Sequence, residues 1–346
     1  MAASTTLKAI ASRLGLSATT VSRSLSGQGA RYRISPGTQD AVRRLAARLG
    51  FSPDPIARGL RLKKTGTIGL VIPDVSNPFF ARIAHCVTVA AGEQGHSVLL
   101  ADSQERTPLE IEAIATLLRR RVDGLIVCPV GLSDAHLTAV GRGRVPLVLV
   151  DRYFPRRTLP SVTSDNAGGA RAATRHLLAA GHRRIGVLQG LPGTSTNRDR
   201  LAGHRAALSS RRVRHEPSLV AGETFLEESG YRAAKRLLRT RSRPTALFAL
   251  GNLIALGALR AIRELRLDIP GQLSFVAFDD HPYADHLATP VTTVAQDADA
   301  LGRIAADALF SMLQGQPAKI GRHVVPTRLV CRSSVRPIRP STERKT

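Results

Sequence analysis

Beyond Thr65 the chain alternates short apolar runs with longer amphipathic stretches, and this alternation limits the possible fold more than any other feature. The runs TIGLVIP, SVLLAD, GLIVCP, LVLVD, RIGVLQG, ALFALG, LSFVAFD and TTVAQ have the length and composition of buried parallel strands. Stretches such as ARIAHCVTVAAGEQG, AGGARAATRHLLAAG and LIALGALRAIRELR lie between them and have helical spacing. The pattern predicts doubly wound α/β sheets that bind ligands at the carboxyl ends of their strands.

Positive charge is concentrated before Thr65. The chain carries 50 Lys and Arg against 26 Asp and Glu, a net charge of +24. Residues 1–64 hold 12 basic and two acidic side chains, which gives +10 and leaves +14 for the other 282 residues. A local excess of this kind is typical of a surface that binds a polyanion.

The N-terminal segment has the pattern of three short helices. Gly15 permits a sharp turn after the first, and Ser17 is suited to the N-cap of the second, ATTVSRSL. Ser35 and Pro36 are suited to the start of a third, which should stop at Gly50. Two helices joined by a tight glycine turn, the second of them basic, predict an all-α helix-turn-helix headpiece. The residues expected inside it are Leu7, Ile10, Ala11, Leu14, Val21, Leu25, Val42, Leu45, Ala46 and Leu49.

Residues 6–27, TLKAIASRLGLSATTVSRSLSG, resemble the headpiece of the LacI/GalR family of bacterial transcriptional regulators. The similarity continues through ISPGTQDAVRRLAARLGFSPDPIARGL and through core blocks in the family's order, among them TGTIGLVIPDVSNPFF, SDNAGGARAATRHLLAAGHRRIGVLQG, LSFVAFDD and TPVTTVAQD. The resemblance implies a core like that of periplasmic binding proteins, with two α/β subdomains between which the chain crosses three times.

The resemblance also implies the domain boundaries. A hinge helix or linker should join the headpiece to the effector-binding core, and the end of the chain should be a disordered tail. The implied ranges are 1–53 for the headpiece, 54–65 for the hinge, 66–340 for the core, about 66–163 and 294–323 for its N-subdomain, about 164–293 and 324–338 for its C-subdomain, and 339–346 for the tail.

By the same resemblance, Ala18, Thr19 and Arg23 lie on the recognition helix that reads bases in the major groove. Arg23 suits this role because a guanidinium can donate twice to guanine, which is worth about 1–3 kcal/mol of discrimination. Ala18 offers only a methyl contact, so Thr19 and Arg23 should carry the base reading. The positions that match phosphate contacts, which set register rather than sequence preference, are Thr6, Ser17 and Ser22.

The run PDPIARGLRLKK resembles the hinge helix, which in this family forms on operator DNA. Leu60 matches the leucine that enters the minor groove and kinks it, and Ala57 lies on the same hinge. At Gly59 this run departs from the family's hinge helix, because glycine is a poor helix former. It predicts a hinge that is less ordered without DNA, because glycine costs roughly 0.5–1 kcal/mol relative to alanine in a helix.

Polar residues follow the predicted core strands at the edge where a ligand should bind. Asp151 follows LVLV, Asp279 follows SFVAF, and Gln296 follows TTVA. These three and Arg200 match family positions that bind an effector. Carboxylates, an amide and a guanidinium suit the hydroxyls of a sugar or a related small polar metabolite. The expected effector contacts are Pro73, Asn77, Phe79, Asp151, Thr196, Arg200, Asn252, Asp279 and Gln296.

One site position departs from the family pattern. Gly251 and Asn252 stand where many relatives read Asn-Asp, so the identity of the effector does not transfer from any relative. Family members also differ in whether the effector releases or promotes DNA binding, and that sign stays open.

These patterns and the family resemblance predict a ligand-responsive, sequence-specific DNA-binding regulator, and they favour a repressor over an activator. A homodimer on a near-palindromic operator is expected because two headpieces need two-fold symmetry, and the end VRPIRPSTERKT lacks the leucine heptad of tetrameric relatives. Three distant cysteines, an N-terminus unlike a signal peptide and the lack of a long uncharged apolar run predict a cytosolic, nucleoid-associated protein without a membrane segment.

Two other classes are weighed against the regulator. An enzyme is disfavoured because GVLQGLPGTST lacks the lysine of a phosphate-binding loop and no G-x-S-x-G elbow is present. The cluster FDDHPYADH, with Asp280, His281, Asp285 and His286, fits no metal-binding helix, so neither a metal nor a cofactor is expected. A sugar-binding receptor shares the expected core fold, but the basic headpiece and the missing signal peptide argue against it.

Overall fold

The computed structural model describes residues 6–51, 65–143, 145–155, 159–281, 283–316 and 321–338. The chain divides into two compact units, Met1–Thr65 and Gly66–Thr346. The predicted hinge over 54–65, with Ala57, Gly59 and Leu60, lies outside the described residues except for Thr65, and so does the tail at 339–346.

The first unit contains the three predicted helices. They are α1 (Leu7–Leu14), α2 (Ala18–Leu25) and α3 (Pro36–Arg48), with a short 3₁₀ turn at Ala30–Tyr32. Gly15 ends α1 with a left-handed φ of 62°, which most side chains would disfavour. The predicted N-caps are confirmed, since the hydroxyls of Ser17 and Ser35 accept the backbone N–H groups of Thr20 and Thr38.

The apolar faces of these three helices meet in one small core. Ile10, Val21 and Val42 are fully buried, one from each helix. The predicted inward-facing residues all belong to this core, together with Leu16 and Phe51. Because each helix alone has at most 13 residues, this packing rather than helix propensity holds them in place.

The described residues of the second unit form two six-stranded sheets, which confirms the predicted α/β class. The first sheet has the order β11-β5-β4-β3-β1-β2 and is parallel throughout. Helices cover it on both sides, and its two apolar clusters contain Ile68, Leu70 and Phe80 in one and Val71, Leu125 and Leu149 in the other. Its strands are β1 (Thr67–Ile72), β2 (Ser97–Asp102), β3 (Gly124–Val127), β4 (Leu147–Val150), β5 (Ser161–Ser164) and β11 (Arg322–Val325).

The second sheet has the order β12-β10-β9-β8-β6-β7, and only the β10–β12 pair is antiparallel. Phe248, Phe275 and Phe278 are its largest fully buried side chains. Its strands are β6 (Ile185–Leu188), β7 (Val220–Ala221), β8 (Ala246–Ala249), β9 (Ser274–Phe278), β10 (Thr292–Ala295) and β12 (Arg328–Val330).

In the described part of the second unit, eight helices connect these strands. They are α4 (Pro78–Glu93), α5 (Thr107–Arg119), α6 (Ala135–Gly141), α7 (Asn166–Ala179), α8 (Ser195–Ser210), α9 (Glu227–Leu238), α10 (Asn252–Glu264) and α11 (Ala298–Leu313). Two further 3₁₀ turns lie at Pro217–Leu219 and Ala284–His286.

The chain passes between the two sheets three times. It leaves the first sheet after β5, returns after β10 and leaves again after β11. The second and third crossings therefore follow Ala295 and Val325, slightly beyond the boundaries that the sequence suggested. Each sheet and its helices form a subdomain, and the carboxyl ends of both sets of central strands border the cleft between the subdomains, where parallel α/β sheets bind ligands.

Candidate functional site

The predicted DNA-contacting residues of the first unit lie at helix starts and on the outer face of α2. Thr6 accepts the N–H of Ala9 at 3.3 Å and caps α1. Ser17, Ala18 and Thr19 are exposed, whereas Val21 and Ser24 of the same helix are buried. Ser22 and Arg23 are half-buried. The helix therefore presents a short polar and basic face to its surroundings.

Arg23 has an aromatic partner that the sequence reasoning missed. Its guanidinium carbon lies 3.6 Å from the ring centroid of Tyr32, and the guanidinium carbon of Arg31 lies 6.0 Å from the same ring. Such cation–π contacts hold a flexible side chain in one orientation. The only sequence signal was a tyrosine between two arginines in ARYRIS, and the spacing from Arg23 gave no reason to pair them.

In the second unit, two aspartates at strand ends enter the cleft from opposite subdomains. Asp151 follows β4 with φ 68°, and Asp279 follows β9 with φ 72°. Left-handed backbone is uncommon outside glycine, although aspartate tolerates it better than most residues. Both carboxylates are buried, at 4% and 7% exposure. Strain of this kind is found where a side chain must be aimed at a site.

A pair of amides bridges the cleft. Asn77 caps the start of α4, and Asn252 is the first residue of α10. The Nδ2 of Asn77 donates to the Oδ1 of Asn252 at 3.2 Å, and the Nδ2 of Asn252 donates to the Oδ1 of Asn77 at 2.6 Å. The two subdomains are thus joined by side chains that the sequence assigned to the effector.

Asp279 organises the C-subdomain side of the cleft. One carboxylate oxygen accepts the backbone N–H of Asn252 at 3.0 Å, and the other accepts the Nε2 of Gln296 at 2.5 Å. This one carboxylate therefore holds the ends of β9 and β10 and the start of α10 close together through hydrogen bonds.

Two buried arginines complete the lining. Arg200, in the second turn of α8, donates to Asn166 Oδ1 and to the carbonyl of Leu250, each at 2.7 Å, and lies over the ring of Phe278. Its burial lowers its pKa, although Asp279 and Asp151 oppose that effect.

Arg152 pairs with Glu105 at 2.6 Å and faces the ring of Phe225 across the cleft. Burial alone would lower the pKa of Arg152, but the charge and hydrogen bonds of Glu105 outweigh it, so its pKa is raised. Both guanidiniums thus stay charged in a site that is largely closed to solvent.

Several buried polar atoms in this lining have no hydrogen-bond partner among the described residues. They are Asp151 Oδ1, Arg152 Nε, Thr196 Oγ1 and Gln296 Oε1. Burial also raises the pKa of Asp151 to about 6, since Arg152 and Arg200 only partly offset the loss of hydration. Buried polar atoms normally have a hydrogen-bond partner, so four that lack one in a single lining point to a polar ligand.

The cleft brings together almost all of the predicted effector residues. Asn77, Phe79, Asp151, Thr196, Arg200, Asn252, Asp279 and Gln296 line one cavity. Pro73 does not line it, because it is buried at the end of β1, where its carbonyl accepts the N–H of Glu105. The lining residues that sequence reasoning did not assign as effector contacts are Asp74, Phe80, Glu105, Arg152, Phe225, Gly251 and Leu253.

The cavity is small in this conformation. It encloses about 30 Å³, which holds one or two water molecules but no sugar. A neighbouring cavity of about 640 Å³ shares Phe79, Asp279 and Gln296 with it. The subdomains or these shared side chains must therefore move to admit a ligand of the predicted size.

The cluster FDDHPYADH serves a structural purpose. Arg332 pairs with Asp280 at 2.7 Å and with Asp285 at 2.5 Å, and His281 stacks on Tyr283. Within the described part of the chain, no group of three or more metal-ligating side chains is placed to hold an ion. Nor does any helix in that part have the length and apolarity needed to cross a bilayer.

A basic three-helix headpiece on a chain whose larger unit has a two-subdomain polar cleft defines a ligand-responsive DNA-binding regulator. Comparison with known proteins supports this class. A family model for a periplasmic binding protein-like domain matches residues 174–335. The ribose operon repressor of Halalkalibacterium halodurans is 31% identical over 332 residues, which cover 96% of this chain and 97% of the relative.

Two solved structures extend the comparison. A Lac repressor dimer bound to operator and the anti-inducer ONPF has a TM-score of 0.85 at 28% identity and covers 96% of this chain and 100% of its own. A LacI family transcriptional regulator from Enterococcus faecium with bound ribose has a TM-score of 0.70 at 26% identity, covering 79% and 100%. The chain belongs to the LacI family of transcriptional regulators, as its sequence motifs predicted.

Proposed function

We propose that the protein is a repressor that binds a near-palindromic operator as a homodimer and responds to a small polyhydroxylated effector, such as a sugar. The observation that carries the effector assignment is the set of four buried polar atoms in the cleft that have no hydrogen-bond partner among the described residues. A carboxylate, an amide oxygen, a hydroxyl and a guanidinium N–H offer both acceptors and donors, which is what vicinal hydroxyls require.

The helix starts of the headpiece and the outer face of α2 support the proposed DNA contacts. Thr19 and Arg23 read bases, Ala18 contributes a methyl contact, and Thr6, Ser17 and Ser22 bind phosphates. The hinge residues Ala57 and Leu60 reach the minor groove. Acting on the chromosome, the repressor works in the cytoplasm at the nucleoid. The relative and the solved structures reported above are regulators, and we propose no catalysis for this chain.

Binding of effector and of operator are coupled through the cleft. An effector that replaces the amide pair of Asn77 and Asn252 changes how α4 approaches α10. Only its differential affinity for the two arrangements can shift the equilibrium between them. By linkage, operator DNA then changes effector affinity by the same factor that effector changes operator affinity.

The first experiment is a genome-wide selection of DNA fragments bound by the purified full chain at near-physiological salt. A short, near-palindromic site is expected, and genes beside it indicate which metabolites to add to the same assay. If only salt-labile binding without an enriched sequence is found, the selection is repeated with candidate metabolites present. The repressor assignment fails if no sequence is enriched there either, because sequence-independent contacts alone give that result.

Two variants separate the roles of the two units. Arg23→Ala should relax the base preference while salt-sensitive nonspecific binding persists. Arg200→Ala should leave operator binding intact and abolish the effector response. Loss of operator binding in a folded Arg200→Ala protein, judged by its unaltered circular dichroism, would overturn this division of roles.

A further inference from the structure

The second sheet has a strongly basic edge opposite the cleft. Its strands β6 to β9 are parallel, so all loops that lead from a helix into one of them lie at the same edge. Hydrogen bonds tie these loops together: Thr245 N donates to the Arg184 carbonyl at 3.0 Å, and Ser274 N donates to the Thr245 carbonyl at 3.1 Å. We call the four loops 180–184, 211–219, 239–245 and 265–273 the arginine edge.

The charge of the arginine edge is far from balanced. The four loops contain nine arginines and two acids, Glu216 and Asp268, which gives a net charge of +7. They therefore hold half of the +14 that the chain carries outside residues 1–64. The arginines are Arg183, Arg184, Arg211, Arg212, Arg214, Arg239, Arg241, Arg243 and Arg266.

Only two of these guanidiniums have a structural partner among the described residues. Arg183 donates to the Leu178 carbonyl at the end of α7, and Arg184 pairs with Glu216 and donates to the Ser242 carbonyl. Cations are favoured at helix C-termini, which accounts for Arg183. The other seven make no side-chain hydrogen bond or ion pair with any described residue, and all seven are exposed.

Two of the seven arginines stand where glycine would be more favourable. Arg212 and Arg266 have φ values of 54° and 53°, just after the ends of α8 and α10. Helices commonly end in this left-handed conformation with glycine, because a Cβ atom is strained there. An arginine in such a place costs stability and adds a cation that has no partner among the described residues.

We propose that the arginine edge binds the phosphate backbone of a second double-stranded DNA segment, independent of sequence. The planar guanidinium fork matches phosphate oxygens, and a row of forks neutralises several phosphates at once. Arg205, Arg212 and Arg214 line a shallow groove of about 720 Å³ beside His215, in which a phosphate ridge can seat. The headpiece holds one duplex, and the arginine edge binds another.

The composition of the edge favours duplex DNA over other polyanions. No tyrosine, phenylalanine or tryptophan occurs in the four loops, so single-stranded nucleic acid finds no stacking platform there. None of their large apolar side chains is exposed either. An acidic protein would need such anchors for a stable interface.

The test keeps the full chain and asks whether DNA-bound protein captures a second duplex. Protein is bound to immobilised operator duplex, unbound protein is washed away, and a labelled 40-base-pair duplex of random sequence is added at several salt concentrations. The edge variant is Arg212→Gln, Arg214→Gln and Arg241→Gln. The matched control is Arg171→Gln, Arg175→Gln and Arg232→Gln, which removes the same charge from exposed helix positions outside the loops.

The expected result is capture by the wild-type and control proteins, and about a ten-fold loss of capture by the edge variant, whose salt slope falls by about three. Equal capture by wild-type and edge variant, or equal loss in both variants, would overturn the proposal. Capture of labelled single-stranded RNA or of an acidic polypeptide in preference to duplex DNA would do so too. The same capture experiment is repeated with protein bound to an immobilised duplex of random sequence. If no operator is found, this version still tests whether DNA-bound protein captures a second duplex.

Discussion

Asn77 and Asn252 exchange two hydrogen bonds across the cleft, and each sits at the start of a helix in a different subdomain. The Oδ1 of Asn77 also accepts the N–H of Phe79, and that of Asn252 accepts the N–H of Leu253. The amides are thus held by their own helices before they meet. A ligand that enters the cleft must compete with this preformed pair.

We expect the pair to stabilise the closed cleft measurably. In a double-mutant cycle with Asn77→Ala and Asn252→Ala, the free energies of unfolding should show a coupling of about 1 kcal/mol. Each single variant also loses the hydrogen bond that its amide makes within its own helix. The cycle subtracts these losses, so that only the coupling between the two amides remains. Urea unfolding of the core, followed by circular dichroism, measures it, and strictly additive variants would mean that the pair does not hold the cleft.

We expect the ionised carboxylate of Asp151 to strengthen effector binding but to lower the stability of the folded protein. Its pKa rises to about 6 from an ordinary 3.8, so between these values the folded protein binds the proton more tightly than the unfolded chain. Stability from this group is therefore lost as the pH rises from about 4 to 6, by up to about 3 kcal/mol.

Asp151→Asn removes this loss. The difference in free energy of unfolding between the variant and wild type should be up to about 3 kcal/mol more favourable to the variant at pH 7.5 than at pH 4. Its effector affinity should fall at least ten-fold. Urea midpoints at the two pH values and calorimetric titration with the identified effector measure both effects. A stability difference that does not vary with pH would show that Asp151 is not buried in its charged form.

How much of this site the sequence predicts depends on what holds each residue in place. Asp279 and Gln296 follow the neighbouring parallel strands β9 and β10 of one sheet, so their convergence is local topology. Asp151 follows β4 of the other sheet and meets them only where the two subdomains face each other. Phe225 and Glu105 enter the lining only because the two subdomains meet at a certain angle. No periodicity in the chain encodes that angle.

The two strands of the first sheet that sequence reasoning missed have a similar explanation. Strand β5 reads SVTS and is buried although it is mostly polar, and β11 reads RHVV and is largely exposed at a sheet edge. Neither contains the apolar run that marked the other strands of the first sheet. They join the sheet by pairing with neighbouring strands. Ser161 of β5 pairs with Leu149 of β4 on one side and with Arg322 of β11 on the other. Tertiary context decides such short strands.

Substitutions at Ser17 can distinguish its structural role as a helix cap from its proposed role in DNA binding. Its hydroxyl caps α2, and it is exposed where a phosphate contact is proposed. Ser17→Ala should lower headpiece stability by about 1 kcal/mol through loss of the cap. Ser17→Asp keeps the cap and favours the helix dipole, but it places a negative charge against phosphate.

We therefore expect Ser17→Asp to melt like the wild-type headpiece and to bind operator at least ten-fold more weakly. Differential scanning calorimetry and fluorescence anisotropy measure the two properties on the same preparations. Operator affinity equal to that of wild type in Ser17→Asp would reduce Ser17 to a helix cap.

Tyr32 should act on base preference through Arg23 rather than through a contact of its own. The guanidinium stacks on the tyrosine ring at 3.6 Å, and loss of such a contact costs about 0.5–1 kcal/mol at an exposed site. Tyr32→Ala should thus reduce discrimination at the base pair read by Arg23 by two- to five-fold, whereas Tyr32→Phe, which keeps the ring, should preserve it. Competition binding between the operator and its single-base variants measures this. On an Arg23→Ala background, Tyr32→Ala should change nothing further at that base pair, and an added loss of preference there would mean that Tyr32 reads the DNA itself.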